Sequence, residues 1–529
     1  MRRILLIITT CFYLEVQSAK ILAVFPMPSI SHQVVFRKIT QELVNRGHEV
    51  TVITPDPAYP NGNAPPNLKE IDVHDISYGF WKKIFSDKYK VEQLKVPKFT
   101  EFRQGALLFT HILKLQVETP EVKKLIANKD NKYDLIIIEA VMRPALAFSH
   151  IFKAPVILVS SMGAIFSVNN AIGSPTHPLL YPSSLRKRFY NLTLCEKFNE
   201  LYEHYMFEYA NYLNQFDENE MLKQIFGPDV PPTSELYNNV DLLLLNLHPI
   251  WNDNQPVPPG VVYMGGIHQI PQKELPKDLK AYLDSSKNGV IYVSFGTNVL
   301  AGMMPEKKIE IIAKVLSKQP YDVLWKWDKD ELPGKGDNIK IGKWFPQSDL
   351  LRHPKLKLFV MQAGLQSTDE AITAGVPLIA IPMLGDQWYN AEKYVKHGIG
   401  MKFEMDSFTE DEFKHAVETV INDKSYRENI EKLRVVLRDE PEPPLQRTMW
   451  WIEYVLRHGG AKQLRAPGAN ITYYEYFAGD VLIVVLSSVL LIIILACVAI
   501  SLIFKLISKL LSQKKIKSSQ VKGSSKKKN

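Results

Sequence analysis

The chain has 529 residues, 46% of them apolar, which is enough for two or three domains with full hydrophobic cores. Its formal net charge is +8, but nine lysines and no acidic residue fall within residues 505–529. The rest of the chain is therefore close to neutral and offers no basic surface to nucleic acid. Of the three cysteines, Cys195 alone lies outside the apolar segments at the two ends, which excludes an internal disulfide in the body and a cysteine-rich zinc site.

The N-terminus predicts a secretory signal. Two arginines precede an apolar run at residues 4–14, and small or polar residues follow as far as Ala19. The run is short for a bilayer span, which favours a cleaved signal peptide at residues 1–19 over an uncleaved anchor.

An α/β unit follows directly. Residues 21–25 predict a buried strand, residues 31–46 an amphipathic helix and residues 50–54 a second strand, which is the opening of a Rossmann-like domain. The chain has neither a Gly-x-Gly-x-x-Gly turn here nor a Walker loop, which disfavours NAD and ATP as ligands. His32 stands at the head of the helix, at the edge where active residues of such sheets gather, although a lone histidine there is more often a helix cap.

The rest of the first half is less regular. Residues 71–116 interleave aromatic and lysine side chains, which suits a membrane interface, the lip of an apolar pocket or an ordinary amphipathic helix. A predicted strand ends at Glu139. Residues 163–184, rich in glycine, proline and serine, predict a long loop that could wall a pocket. Asn191 and Asn470 each begin a glycosylation sequon.

Prolines mark the boundary between two predicted domains. A buried strand ends at Asn246, prolines recur from residue 256 to residue 276, and a second α/β unit begins at Gly289. The first strand of this unit ends in a turn that contains Ser294, Gly296 and Thr297.

The most informative stretch lies between residues 344 and 387. An apolar run at 356–360 predicts a buried parallel strand, small and polar residues follow it, and a helix is predicted from residue 367. A strand that ends in small residues against a helix N-terminus suits a phosphate, because free backbone N–H groups and the helix dipole point at it. A second strand at 378–381 ends at the same edge. Among the residues of this stretch are Trp344, Gln347, Gln362, Gly364, Gln366, Ser367, Glu370, Asp386 and Gln387.

This stretch resembles the signature of the UDP-glycosyltransferase family, and is most similar to the insect UDP-glucosyltransferases among its membrane-bound animal members. The apolar strand, the His/Gln-small-Gly turn, the Ser/Thr-x-Glu element, the Gly-Val-Pro strand and the final Asp-Gln occur in the same order. The chain has Gln362 where many members have His, and Ala363 where many have Gly. The resemblance implies an α/β fold with two facing Rossmann-like domains of the GT-B type and one C-terminal transmembrane helix.

The resemblance also implies roles for the residues that bind the donor. Trp344 is expected to stack on uracil with Gln347 close to the same base, and Glu370 to accept the ribose hydroxyls. Asp386 and Gln387 are expected to hold the sugar hydroxyls. The expected contacts of the diphosphate and the neighbouring sugar are Gln362, Gly364, Gln366, Ser367, Ser294, Gly296 and Thr297.

The implied chemistry is transfer of a hexose, with inversion, from a UDP-sugar to a hydroxyl of a small lipophilic acceptor, as in detoxification or in hormone or pigment conjugation. His32 is the expected general base and Glu139 its partner, at a position where many members carry Asp. Members that use UDP-glucuronate place an Arg near Asn246, and a neutral Asn offers a carboxylate no bidentate partner, so UDP-glucose is the predicted donor. Neither a cofactor nor a metal is expected.

Four other interpretations stay open. The enzyme could be a UDP-glucuronosyltransferase, a non-catalytic lipophile-binding member of the same fold, or a membrane-anchored nicotinamide oxidoreductase. It could also be a metal-dependent glycosyltransferase, because Asp328 and Asp330 form an Asp-x-Asp pair after a strand. A solvated turn is the better explanation of that pair, since charges, proline and glycines follow it. A homo-oligomer is possible.

The C-terminal segments predict a single-pass membrane protein. Residues 481–504 carry no charge over twenty-four positions, which is enough to cross a bilayer. The lysines that follow predict a cytoplasmic tail and hence a lumenal body, of type I, in the endoplasmic reticulum. Lys526–Lys528 form either a dilysine retrieval signal or a basic flank.

The predicted organisation is a signal peptide at 1–19, an acceptor domain at 20–270, a linker at 271–288, a UDP-sugar domain at 289–445, a crossing helix and juxtamembrane segment at 446–480, a transmembrane helix at 481–504 and a basic tail at 505–529.

Overall fold

The computed structural model describes residues 18–91, 98–165, 168–298 and 304–525. Of the predicted signal peptide, only residues 18 and 19 are among them, and the terminal lysines Lys526–Lys528 lie outside them. The chain forms two compact units, Met1–Asn470 and Ile471–Asn529.

The first part of the larger unit is built on a parallel sheet of seven strands in the order β3-β2-β1-β4-β5-β6-β7. Every residue of β4, β5 and β6 is buried, as expected for strands that helices cover on both faces, and this explains their near-continuous runs of Ile, Val and Leu. The strands are β1 Lys20–Val24, β2 Glu49–Thr54, β3 Leu68–Asp72, β4 Leu135–Glu139, β5 Val156–Ser160, β6 Val240–Leu245 and β7 Val261–Tyr263.

Eight helices of this domain surround the sheet among the described residues: α1 Ile30–Asn45, α2 His74–Val91, α3 Lys98–Val117, α4 Pro120–Ala127, α5 Ala147–Phe152, α6 Val168–Ile172, α7 Leu194–Phe226 and α8 Thr233–Leu236. Residues 71–116, which the sequence left undecided, form most of α2 and α3. The predicted loop at 163–184 is not entirely irregular, because α6 lies within it. The 33-residue helix α7 was not predicted.

The second domain is built on a parallel sheet of six strands in the order β10-β9-β8-β11-β12-β13. Its elements are α9 Lys277–Ser285, β8 Val290–Ser294, α10 Glu306–Ser317, β9 Asp322–Lys326, β10 Ile339–Gly342, α11 Gln347–Leu351, β11 Leu356–Met361, α12 Leu365–Ala374, β12 Leu378–Ala380, α13 Gln387–Lys396, β13 Gly400–Lys402, α14 Glu410–Asn422 and α15 Lys424–Arg438. The predicted α/β fold with two Rossmann-like sheets is confirmed. Within the predicted linker at 271–288 lies α9, which buries Leu279 and Leu283 in the core.

Helix α16, Pro444–His458, returns to the first domain. Its residues Met449, Ile452 and Val455 are buried in the same core cluster as Ile21 and Phe36 of β1 and α1. Burial of three large apolar side chains on one helix face favours this return by several kcal/mol, at about 1.5–3 kcal/mol for each fully buried side chain. The first domain is therefore completed by the end of the larger unit.

The smaller unit contains α17, Tyr473–Tyr476, and α18, Gly479–Ser525. Within the described residues, α18 is the one helix that is long and apolar enough to cross a membrane. The predicted span at 481–504 lies inside it. The helix continues through most of the predicted basic tail, which the sequence did not indicate.

Candidate active site

A cavity of about 990 Å³ lies between the two sheets of the larger unit. His32 of α1 lines it from the first domain. All of the predicted donor-binding residues line it from the second domain: Ser294, Gly296, Thr297, Trp344, Gln347, Gln362, Gly364, Gln366, Ser367, Glu370, Asp386 and Gln387. They meet because the carboxyl ends of parallel strands share one edge of a sheet, where ligands of open α/β sheets bind.

His32 and Glu139 form a buried pair at the floor of this cavity. The Nδ1 atom of His32 lies 2.7 Å from Oε1 of Glu139, and Oε2 of Glu139 accepts the backbone N–H of Met27 at 3.1 Å. Glu139 comes from the end of β4 and does not itself line the cavity, whereas His32 does. The carboxylate thus acts through the imidazole.

Gly296, Gln362 and the first turn of α12 form a small cradle where β8 and β11 end. Gly296 has φ +74°, in the left-handed region, and a Cβ there would come within 2.1 Å of Nε2 of Gln362. The Oε1 atom of Gln362 is buried and has no hydrogen-bond partner among the described residues. Helix α12 begins next to it with Gly364 as its N-cap and no side-chain cap, so its first backbone N–H groups remain available to an anion.

Glu370 lies one turn further along α12 and is held by Gln347. The Nε2 atom of Gln347 donates to Oε2 of Glu370 at 2.7 Å and to Oγ of Ser367 at 2.8 Å, while its Oε1 lies 3.2 Å from the hydroxyl of Tyr292. Burial raises the pKa of Glu370, and the hydrogen bond from Gln347 lowers it in part. Gln347 therefore orients Glu370 in addition to its predicted place near a base.

Trp344 presents a largely exposed ring at the mouth of the cavity, 65% accessible. The Nζ atom of Lys326 lies 4.9 Å from the centroid of that ring and donates to the carbonyl of Gly296 at 2.7 Å. Burial lowers the pKa of Lys326, and the charge of Asp328 opposes that shift in part. Lys326 thus contacts both the exposed ring of Trp344 and the backbone of Gly296 in the cradle.

Asp386 and Gln387 begin α13 on the side of the cavity that faces His32. Burial raises the pKa of Asp386 to about 6, although the hydrogen bond from Asn390 and the charge of His32 lower it in part. The Nδ2 atom of Asn390 donates to Oδ2 of Asp386 at 3.0 Å and to the carbonyl of Ala363 at 2.9 Å. The Oε1 atom of Gln387 accepts two backbone N–H groups of the preceding turn, at 2.7 and 2.8 Å.

Direct contacts between the domains close one end of the cavity. The Nδ2 atom of Asn298 donates to Oγ of Ser29 at 2.9 Å, and Nε2 of Gln366 donates to the carbonyl of Ser161 at 2.9 Å. Gln366 was predicted to contact the diphosphate. In this structure the side-chain nitrogen of Gln366 hydrogen-bonds across the domain boundary. The backbone of Gln366 belongs to the first turn of α12.

Asn246, the residue expected to select the donor sugar, does not line the main cavity. It is buried, its Nδ2 donates to the carbonyl of Ser161 at 3.1 Å, and it lines a separate cavity of about 30 Å³. The carbonyl of Ser161 accepts from both Asn246 and Gln366. Asn246 is therefore linked through this shared carbonyl to Gln366, which lines the main cavity.

The Asp-x-Asp pair lies elsewhere. Asp328 and Asp330 are exposed in the turn after β9, neither lines the main cavity, and Asp330 pairs with Lys343 at 3.4 Å. Nowhere in the described parts of the chain do three His, Cys, Asp or Glu residues form a group that could hold a metal ion.

The two sequons differ in their surroundings. Asn191 is exposed, and Thr193 of the same sequon caps α7. The Nδ2 atom of Asn470 donates to the carbonyl of Ser234 at 2.7 Å and to Oδ1 of Asn238 at 2.8 Å. The nitrogen that would carry a glycan is thus already engaged at Asn470.

Two residues of the site were missed from the sequence. Lys326 ends β9, the strand next to β8, so its place beside Gly296 followed from the strand order rather than from any motif. Asn390 stands four residues after Asp386, which is one helical turn, and that spacing was a usable signal.

The fold and the cavity define a class of protein. Two parallel β-sheets, each packed against helices, face one cavity. The His32–Glu139 pair lies on one side of it, and the N-terminus of α12 and the carboxylate of Glu370 lie on the other, as in nucleotide-sugar glycosyltransferases of the GT-B architecture. The family model described as UDP-glucoronosyl and UDP-glucosyl transferase matches residues 19–516. The chain belongs to this family, and the predicted enzyme class, a UDP-glycosyltransferase, is confirmed.

Characterised relatives are similar over most of their length. An ecdysteroid UDP-glucosyltransferase of Lymantria dispar multicapsid nuclear polyhedrosis virus is 34% identical over 493 residues, covering 91% of this chain and 96% of the relative. UDP-glucosyltransferase 2 of Dactylopius coccus is 31% identical over 475 residues, covering 88% of this chain and 89% of the relative.

Solved structures share the fold. The glycotransferase of kitacinnamycin aligns with a TM-score of 0.55 at 17% identity, covering 83% of this chain and 99% of its own. The Arabidopsis thaliana enzyme UGT89C1, solved with UDP-L-rhamnose, aligns with a TM-score of 0.53 at 16% identity, covering 83% of this chain and 100% of its own.

Proposed function

We propose that this enzyme transfers glucose from UDP-glucose to a hydroxyl group of a small lipophilic acceptor, with inversion at the anomeric carbon and without a metal ion. The observation that carries the proposal is the His32–Glu139 pair, which opens onto a cavity with a polar half and an apolar half. A lipophile-binding protein without catalysis needs the apolar half but has no use for this pair.

The polar half suits a UDP-sugar. The exposed ring of Trp344 offers a stacking surface for uracil, and the buried carboxylate of Glu370 offers acceptors for the two ribose hydroxyls. The N-terminus of α12 and the amide of Gln362 supply N–H donors for the diphosphate. The N-terminus of α12, which has no side-chain cap, fits an anionic ligand in this cradle.

The other half suits a lipophilic acceptor. The side chains that line it come from α1, α2, α3, α7 and the segment after β5, and they are largely aromatic or aliphatic. Burying their apolar surface against an apolar acceptor favours binding by roughly 25 cal/mol for each Å² removed from water. The members of this half are Met27, Ile30, Trp81, Phe102, Leu108, Phe109, Met162, Ile165 and Phe207.

In the reaction, His32 takes the proton of the acceptor hydroxyl on Nε2. The acceptor oxygen forms a bond to the anomeric carbon as the bond from that carbon to the phosphate oxygen breaks, and UDP leaves with the bonding electron pair. Glu139 holds the other imidazole nitrogen and stabilises the positive charge that develops on the ring. Asp386 and Gln387 hold the sugar hydroxyls, with Asn390 orienting Asp386.

Glucose is the proposed sugar because of the names that the relatives carry. The relatives described above are named UDP-glucosyltransferases, and three further viral relatives at 32–33% identity carry the name ecdysteroid UDP-glucosyltransferase. A polyhydroxylated steroid is an acceptor of suitable size and polarity for the cavity.

We place the enzyme in the membrane of the endoplasmic reticulum, with α18 as its anchor and the larger unit in the lumen. The apolar stretch of α18, the lysines after it and the predicted signal peptide support this topology. Protease added to sealed microsomes is expected to remove only residues after 504, and digestion of the larger unit would contradict the topology.

A donor competition tests the proposed function. Equal concentrations of UDP-glucose and UDP-glucuronate are supplied with one accepted steroid or phenol, and the glucoside is the expected product. A wild-type preference for UDP-glucuronate would refute the donor assignment, and absence of turnover with every acceptor despite UDP-sugar binding would favour a binding protein.

A further inference from the structure

Helix α7 exposes large apolar side chains on the side away from the domain. Its side towards the domain buries the polar residues Asn211, Asn214 and Glu218 beside Ala210 and Leu222. Its outer side carries a line of six aromatic residues, each 55–73% exposed: Phe198, Tyr202, Tyr205, Tyr209, Tyr212 and Phe216. Soluble monomers rarely leave so continuous an apolar surface in water, so this aromatic line indicates a further contact.

The spacing makes the line straight. Its members follow one another at intervals of four and three residues, which keeps them on one face of a helix. The line runs from Phe198 to Phe216, a separation of eighteen positions, or about 27 Å at 1.5 Å per residue. A flat surface can therefore contact all six side chains at once.

The charges of α7 are largely neutralised within the domain. Arg103 donates to Asn214 at 3.1 Å and to Asp217 at 2.7 Å, and Arg186 reaches Glu203 at 2.9 Å. Arg186 also pairs with Glu200, Arg188 with Glu196 and Arg143 with Glu218. These pairs remove most of the repulsion that an acidic helix would otherwise meet at a phosphate headgroup.

The residue types indicate which surface is contacted. A seam between two copies of a helix is built from Ile, Val and Leu at such positions, and four tyrosine hydroxyls in a dry seam would lose their water without gaining partners. Tyrosine instead prefers the lipid–water interface, where its ring is buried and its hydroxyl stays wet. The smaller unit places the same residue types directly before its candidate span, at Tyr473, Tyr474, Tyr476 and Phe477.

We propose that the aromatic line of α7 docks on the lipid–water interface of a phospholipid bilayer. The occupant is the bilayer surface itself, without a requirement for anionic lipid. The chain carries a helix able to span such a bilayer, so this surface is continuously available to it.

Docking has a consequence for the cavity, which rests on the proposed function. Phe207 lies on another side of α7, lines the apolar half of the cavity, and packs edge-on against Phe102 of α3 with ring centroids 5.0 Å apart. A helix that rests on lipid thus also walls the acceptor half. A lipophilic acceptor dissolved in the bilayer then has a short path to His32.

The test uses the full chain in phosphatidylcholine vesicles, with a protease site inserted within residues 471–478. After cleavage, the larger unit is expected to sediment with the vesicles. Replacing Tyr202, Tyr205, Tyr209 and Tyr212 together with Ser is expected to lower its partition coefficient by about tenfold or more. The matched control replaces three exposed valines of the second domain, Val395, Val435 and Val436, with Ser and is expected to sediment like the wild type.

An unchanged circular dichroism spectrum and thermal unfolding midpoint of the uncleaved fourfold variant show that it is folded. If that variant does not fold, the double variant Tyr205→Ser/Tyr212→Ser is expected to give a smaller release in the same assay. Release of the cleaved wild-type unit, or equal retention of folded variant and wild type, would overturn the proposal. So would a dimer of the cleaved unit that the substitutions dissociate while vesicle binding is unchanged, because the line would then join two copies.

A second arm tests the chemistry of the surface. Replacing a third of the phosphatidylcholine with phosphatidylserine is expected to change partitioning by less than about twofold, because the exposed line is aromatic and the flanking charges are paired. A strong gain on anionic lipid would assign binding to a basic surface elsewhere and overturn the proposal. Activity is not a readout of either arm, so a failure of docking and a failure of the proposed function are distinguishable.

Discussion

Nδ1 of His32 and Oε1 of Glu139 lie 2.7 Å apart, and the second carboxylate oxygen of Glu139 is held by the backbone of Met27. A carboxylate that accepts from Nδ1 keeps the proton on that nitrogen and leaves the lone pair of Nε2 for the acceptor hydroxyl. The pair therefore fixes the tautomer that a general base requires.

Removal of the base is the first prediction. His32→Ala is expected to lower turnover by roughly 10²–10⁴-fold while UDP-glucose binds normally, because the imidazole acts on the acceptor proton rather than on the donor. Steady-state rates and donor calorimetry separate the two effects. Glu139→Gln is the companion variant, since an amide no longer enforces the tautomer. Near wild-type turnover of His32→Ala would mean that another group is the base.

The pH dependence of donor binding follows from Asp386. Burial raises its pKa to about 6, so its carboxylate is ionised at pH 7 and protonated at pH 5. The ionised form accepts hydrogen bonds from the sugar hydroxyls more strongly than the protonated form, so UDP-glucose is expected to bind more weakly as the pH falls through 6. Calorimetry between pH 5 and 7.5 measures this, and the profile of Asp386→Asn is expected to be flat. A flat wild-type profile would contradict the assignment.

Binding of the uridine is the third prediction. Trp344→Ala and Glu370→Ala are each expected to weaken UDP by about tenfold or more, since loss of base stacking on an aromatic ring typically costs about 1–3 kcal/mol. Equilibrium titration with UDP alone is the measurement. Asp330→Asn, on an exposed turn outside the cavity, is the matched control and should leave UDP affinity unchanged. If both site variants bind UDP with wild-type affinity, the assignment of the donor site is wrong.

Independence of metal ions is the fourth prediction. Turnover is expected to survive excess EDTA, because the helix N-terminus, Gln362 and Lys326 provide donors and a cation for the diphosphate. The experiment is a rate measurement before and after chelation, with manganese added back. Loss of activity that manganese restores would instead support the Asp328–Asp330 pair.

Glycosylation is expected at Asn191 and not at Asn470. A glycan on Asn470 would break the hydrogen bonds of its Nδ2 to Ser234 and Asn238, whereas Asn191 is exposed. The protein expressed in microsomes is compared with Asn191→Gln and Asn470→Gln by gel mobility with and without endoglycosidase. Only Asn191→Gln is expected to migrate as the deglycosylated wild type, and the reverse pattern would refute the prediction.

Much of the donor half could be predicted because its chemistry lies in a continuous stretch. Polar residues at the ends of β11 and β12 have to meet at one sheet edge, and the structure gathers them there. Lys326 escaped prediction because its neighbour in space, Gly296, is thirty residues away and strand order is not visible in a single sequence. Asn246 is the opposite case. Its place in the alignment put it near the donor, but in the structure it does not line the main cavity.

Helix α7 escaped prediction for a different reason. Periodicity identifies a helix when its apolar side faces the core, and here Asn211, Asn214 and Glu218 face inward while the tyrosines face outward. The burial of Asn214 is compensated by its bonds to Arg103, 111 residues away in sequence. Hydrogen bonds between residues so far apart in sequence form only in the packed domain, so a local sequence pattern does not predict them.

The return of α16 to the first domain affects how specificity can be exchanged between relatives. A chimera that takes everything after the linker from another enzyme also brings in a foreign α16, which must then fit a core around Ile21 and Phe36 with which it did not evolve. Two breakpoints avoid this conflict, one before α9 and one at residues 439–443 between α15 and α16. Donor preference can therefore be exchanged by replacing the residues between the two breakpoints. Acceptor preference is determined by the residues before the first breakpoint and after the second.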